Sequence, residues 1–225
     1  MKHRALCSSV CLALALATIA AAAPTPPRGD RAAFAHAWQA QGLQPAKSNL
    51  DLLYLRPVAA EGGGAAAVQV APVVQVEMRD NWQSANRALE RARLRPTEVQ
   101  GLKDMVGNIV GEELRQAFAG ARGRGAGQPV LEARVLDLYL NAPEMQAPVA
   151  SKTYTTSYGD MVLVAELRDG AGGPLLLGSW DHRPAREFPT ARYTTRVDNA
   201  VELRAAAHSW ARRLRGEYDR LAAGG

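Results

Sequence analysis

Asp181-His182 is the one place in this 225-residue sequence where an acid and an imidazole stand side by side, the pairing that general acid–base chemistry uses. Arg183 and Arg186 follow at once, and Tyr154 and Tyr158 sit in or beside a hydroxyl-rich stretch, Ser151 to Ser157. Asp181, His182, Arg183, Arg186, Tyr154 and Tyr158 are therefore the candidate ligand-binding set, as for a periplasmic hydrolase or small-ligand binder. The period of a strand weighs against catalysis. Successive residues point to opposite faces, so Asp181 and His182 are not expected to touch. No GxSxG or SxxK pattern marks a nucleophile among the hydroxyls, which read as a solvated loop, and no catalytic residue is assigned.

Other chemistry-bearing residues are dispersed. His36 and His208 show no metal-ligand spacing with His182, and His208 falls beside an apolar stripe, as a partly buried structural histidine would. Asp137, Asp169 and Asp181 sit at strands or strand ends, and Asp169 opens a Gly-rich turn, where aspartate is ordinary. Gly123-Arg124-Gly125-Ala126-Gly127 leads from helix to strand, whereas a phosphate loop leads from strand to helix N-terminus. It reads as a flexible connection. Neither a metal nor another cofactor is expected. Arg183, Arg186, Arg192 and Arg196 make the last inter-element segment a basic loop, suited to anionic envelope components or an acidic protein face rather than nucleic acid. Solvated surface arginine remains the ordinary reading. Trp38, Trp82, Trp180 and Trp210 lie beside apolar stripes and read as core anchors rather than a ligand cage.

The start of the chain argues for export. Lys2 and Arg4 precede 19 uncharged residues, Ala5 to Ala23, and then Pro24-Thr25-Pro26-Pro27. A basic start, an apolar centre and small residues before the exit describe a secretory signal peptide over 1–22, cut before Ala23. An uncleaved anchor is the rival reading, disfavoured because the stretch is largely Ala, Ser and Thr and no basic group follows at once. Cys7 and Cys11, the only cysteines, lie inside it and away from the lipoprotein acceptor position, so lipid anchoring is not expected and the mature chain holds no thiol. Cleavage removes two basic residues and no acidic one from a chain of net charge +5, which erodes any case for nucleic acid. No transmembrane segment is expected after processing.

Apolar periodicity supplies the elements that must position these residues. Arg31 to Gly42 reads as a short helix with Phe34 and Trp38 on one side, inside an N-terminal arm (23–66) that packs on the domain (67–225). Val68, Val70, Val74, Val76 and Met78 alternate with polar residues, a strand that Pro72 places at an edge or bulges. A helix capped by Thr97 with Gln100 three residues on carries the stripe from Val99 to Phe118 and stops at Gly120. Val130–Leu140 is a strand, Met161–Leu167 and Leu175–Trp180 a hairpin, and Asp198–Leu221 a helix with Leu203, Ala207, Trp210, Leu214 and Tyr218 on its apolar face. Together these give an α+β fold: a two-layer α/β sandwich whose mainly antiparallel sheet of about four strands has two main helices on one face.

Several strings, taken in order, resemble a bacterial cell-envelope family catalogued as a domain of unknown function, number 3313. They are Gly42-Leu43-Gln44-Pro45, Ser48 to Tyr54, Val73 to Met78 with Asn81-Trp82, Val135 to Pro143, Gly159-Asp160-Met161, Leu163 to Asp169, and Trp210 to Leu214. The resemblance implies an exported protein, often a lipoprotein, without established activity. The element order also looks like the small α/β modules of envelope assembly factors and of curli-secretion lipoproteins, at the level of fold alone. The expectation is a periplasmic or secreted protein, a non-catalytic binding or assembly-supporting module whose partners are envelope proteins or anionic envelope components.

Overall fold

The computed structural model describes residues 29–57, 66–80, 82–85, 94–122, 128–140, 154–157, 159–184, 187–193 and 196–222. The expected signal peptide and the Gly123–Gly127 connection lie outside these residues.

Asp30 caps the first helix, α1 (Arg31–Ala40), its carboxylate accepting from the amides of Ala32 and Ala33 at 2.9 and 3.4 Å. Two short strands follow, β1 (Gln44–Pro45) and β2 (Leu52–Leu55). The alternating stretch after Val68 forms two strands, β3 (Gln69–Val70) and β4 (Gln75–Met78), parted at Pro72, where Val73 is 71% exposed. After a single turn, α2 (Trp82–Ala85), comes the long helix α3 (Pro96–Ala117). It starts earlier than the Thr97 cap predicts. Pro96 takes the first helical position, which suits a residue without an N–H, and the Glu98 carboxylate accepts from the Arg95 amide at 2.7 Å. Gln100 instead donates to Asp104. The remaining elements are β5 (Val130–Leu140), β6 (Tyr154–Ser157), β7 (Gly159–Arg168), β8 (Leu175–Arg183), β9 (Glu187–Tyr193) and α4 (Arg196–Ala222).

The sheet has seven strands in the order β1-β2-β8-β7-β5, with β3 and β4 both lying parallel along the outer side of β5 and all other neighbours antiparallel. Residues 44–55, from the stretch expected to pack on the domain, thus supply two of its strands. The fold is α+β, but the four-strand, one-faced sandwich is corrected. On one face α3 and α4 cover the main core, around Val106, Val110, Leu114, Leu163, Trp210 and Leu214. On the other, α1 seals a second core with Phe34, Trp38, Tyr54, Leu136, Val162 and Val164. The unbroken run Met161-Val162-Leu163-Val164-Ala165 accounts for the difference, because a central strand buried on both faces loses its alternation. The hydroxyl stretch and the basic loop are corrected as well: β6 and β9 pair antiparallel as a separate ribbon.

A bulge keeps β5 in phase. Leu131, Ala133 and Val135 face the main core, Leu136 turns to the second, and Leu138 and Leu140 return to the first. Asp137 absorbs the extra residue with φ of 52°, and the register against β7 shifts between Leu136 and Tyr139. The expected roles of the four tryptophans hold: Trp38, Trp82, Trp180 and Trp210 are all buried.

Candidate functional site

Asp181 and His182 end β8 on opposite faces, as strand period requires. Asp181 points under α4 and is almost wholly buried. One carboxylate oxygen accepts the Asp51 amide at 3.3 Å, and the other meets Arg213 of α4 at 3.2 Å and also the Arg183 guanidinium. Burial pushes the carboxyl above its ordinary range, against the opposing pull of Arg183 and the Asp51 amide. Arg213 further donates to the Asn49 carbonyl, and the Asn49 amide donates to the buried Glu217. Asp181 is thus a bolt joining β8, α4 and the 49–51 loop, occupied on every side. Ser179, two residues earlier on β8, is likewise buried and has no approach to His182.

The His182 ring lies near the α1 face, with Nε2 2.8 Å from Asp160 and its side chain 42% exposed. Asp160, the acid that meets His182, was not singled out in the sequence. Its signal was Gly159-Asp160-Met161 opening a strand beside β8. The other Asp160 oxygen lies 3.4 Å from Arg79, which grips Asp137 at 2.8 and 3.1 Å and is thereby held more firmly protonated. His182, Asp160, Arg79 and Asp137 form a surface chain of polar contacts that ties the ends of β8, β7 and β5 to the residue after β4. An imidazole–carboxylate pair can shuttle a proton, but no described hydroxyl or thiol stands beside it as a nucleophile. Among the described residues no three His, Cys, Asp or Glu side chains are grouped to hold a metal.

The structure therefore splits the candidate set. Arg183 stays with Asp181, while His182 joins a different network. The Tyr154 backbone lies in β6, and the Tyr154, Tyr158 and Arg186 side chains fall outside the described residues. His208 is less buried than expected. Its side chain is 55% exposed, with Nδ1 2.9 Å from the buried Glu113 of α3.

Of the candidate set, only Arg183 lines either of two hollows. One, of about 120 Å³, lies between the β5–β7 end and α4, with Leu140, Met161 and Leu203 below and Asp160, Arg183 and Glu202 around it. The larger, of about 630 Å³, runs between α3 and the outer edge of β4, from Pro72 to Glu77. β4 pairs with β5 alone, so its outer edge has no strand partner among the described residues. Sequence reading marked this strand as an edge but not the groove, because the groove depends on where α3 crosses. Gly107 sets that crossing: a Cβ there would lie 3.0 Å from the Val74 carbonyl.

No family model matches the chain, and no curated protein matches it. Solved structures similar in part include two forms of one assembly. A single-substitution variant of the PelC dodecamer from Paraburkholderia phytofirmans shares 11% identity at a TM-score of 0.34, over 72% of this chain and 95% of that one. The PelC dodecamer from the same organism in another crystal form shares 12% at 0.33, over 76% and 96%. No described helix is long and apolar enough to cross a membrane.

Proposed function

We propose that the chain is a non-catalytic binding or assembly-supporting module exported to the bacterial cell envelope, in keeping with its resemblance to the envelope family numbered 3313. The observation that carries this reading is the open outer edge of β4 beside its groove. A strand edge offers a row of backbone donors and acceptors, and proteins that do not use such an edge cover or charge it. The separation of Asp181 from His182 adds support, since Asp181 is spent on joining β8 to α4 while His182 pairs at the surface with Asp160 instead.

Export and binding are tested together. The full chain, expressed with a C-terminal tag in a Gram-negative host, should appear in the periplasmic fraction with a mature N-terminus at or near Ala23. Cross-linking there should join it to defined envelope partners that an unrelated exported control does not capture. A cytoplasmic product of unchanged mass, or a cross-link profile identical to the control's, would defeat the proposal.

A small-ligand binder is the second reading, favoured by the 120 Å³ hollow with Arg183 at its rim. Small apolar carboxylates should then raise the melting temperature of the wild type and not of Leu203→Trp, which fills the hollow. No rise with any of them removes this reading.

A further inference from the structure

Resting on the binding reading, we infer that the groove beside β4 takes an extended, acidic peptide segment of a partner protein, added to the sheet as a further strand. The backbone argument comes first. Ala71 and Arg79 donate their amides to β5, at Leu131 and Leu138. Residues of a strand alternate in which neighbour they bond, so the even-numbered Val76 and Met78 turn their backbone groups away from β5 and toward the groove. An incoming strand needs room beside that edge. The roughly 630 Å³ between strand and helix provide it.

Charge identifies the occupant. Four charged residues line the groove: Glu77, Asp104, Lys103 and Arg115. The two acids are engaged, Asp104 by the Gln100 amide at 2.7 Å and Glu77 in an interaction of its own. Lys103 and Arg115 make no ion pair among the described residues. These cations are twelve positions apart on α3, about 18 Å along its axis, which an extended chain spans in about five or six residues. Strand addition then supplies main-chain bonds, and the two cations select acidic side chains near the ends of the added segment.

The test uses the purified full chain and a fluorescein-labelled octapeptide, Glu-Val-Thr-Val-Thr-Val-Glu-Val, followed by anisotropy. Two further peptides serve as controls, one with Lys for Glu and one with alternate amides N-methylated. The acidic peptide should bind at least tenfold more tightly than either control. Its affinity should fall at least tenfold in the Lys103→Glu/Arg115→Glu variant and decline with salt. The Val76 and Met78 amides should gain protection from hydrogen exchange when it binds.

Equal binding of the N-methylated peptide overturns strand addition, and equal binding of the Lys peptide or by the reversed-charge variant overturns the acidic occupant. A concentration-dependent dimer of the wild type that the variant loses would put a second copy in the groove, which also overturns the inference. If the variant still cross-links to the same envelope partners as the wild type, the groove assignment falls while the binding-module reading stands.

Discussion

Gly178 on β8 is the position where one methyl group should do most damage. A Cβ built there lies 2.5 Å from Cε2 and 2.6 Å from Cδ2 of Trp38. Ordinary carbon contacts are about 3.5–4.0 Å, so the ring or the strand must move by about 1 Å. Trp38 has nowhere to go. It is fully buried, its ring lies 5.5 Å from Phe34 and 5.6 Å from Tyr54, and its Nε1 donates to Glu166 at 2.8 Å. Overpacking of this kind costs about 1–3 kcal/mol, and disturbing the Glu166 bond adds about 1. Gly178→Ala should therefore destabilise by about 3 kcal/mol. At about 2–4 °C per kcal/mol for a domain of this size, the melting temperature falls by about 6–12 °C.

The same methyl should change sign when the ring is absent. Trp38→Ala alone should cost about 3–5 kcal/mol. In that background Gly178→Ala meets open space and stiffens the unfolded chain, which favours folding by about 0.5 kcal/mol. Urea unfolding of the four proteins in a double-mutant cycle, followed by far-UV circular dichroism, measures the coupling. A Gly178→Ala cost that is the same in both backgrounds would refute the assignment of Gly178 as the seat of the Trp38 ring.

Three further outcomes follow from the site geometry. Burial raises the Asp181 carboxyl above its unfolded value of 3.8, so between the two values the native chain holds more protons than the unfolded one. Its contribution to stability therefore falls as pH rises through that window. Urea midpoints across the acid range should show the wild type losing ground to Asp181→Asn as pH increases, and the opposite slope would reverse the assignment. His182→Ala removes an exposed ring paired with one partly exposed carboxylate. It should change stability by no more than about 0.5 kcal/mol by the same unfolding assay, a loss above about 2 being inconsistent with a surface pair. At the bulge, Asp137→Asn should be milder than Asp137→Ala by at least about 0.5 kcal/mol in urea unfolding, because asparagine tolerates positive φ and can still accept from Arg79 while alanine does neither; equal losses would mean that neither backbone strain nor the Arg79 bond plays a part.

The sheet was legible in part because local pattern reports one face at a time. The hairpin β7–β8, the strand β5 and the stripes of α3 and α4 stand where periodicity puts them. The second core escaped notice because its strand residues, Val162 and Val164, interleave with those of the first. Two faces superposed on one strand read as a plain apolar run. β2 was missed as a sheet member because its pairing with β8 joins residues more than a hundred positions apart. The β6–β9 ribbon was hidden for a similar reason, its hydroxyls and arginines resembling loop composition.

By itself the sequence determined that the chain mixes helices with a largely antiparallel sheet, that Trp38, Trp82, Trp180 and Trp210 anchor cores, and that Asp181 and His182 point apart. Each of these follows from periods of 2 and 3.6 residues or from the apolar bulk of a side chain. Tertiary structure alone decided that Asp181 meets Arg213, that His182 meets Asp160, and that α3 crosses β4 at Gly107 to leave a groove. Those relations join segments far apart in the chain. They are set by how layers pack, and no local pattern of residues encodes them.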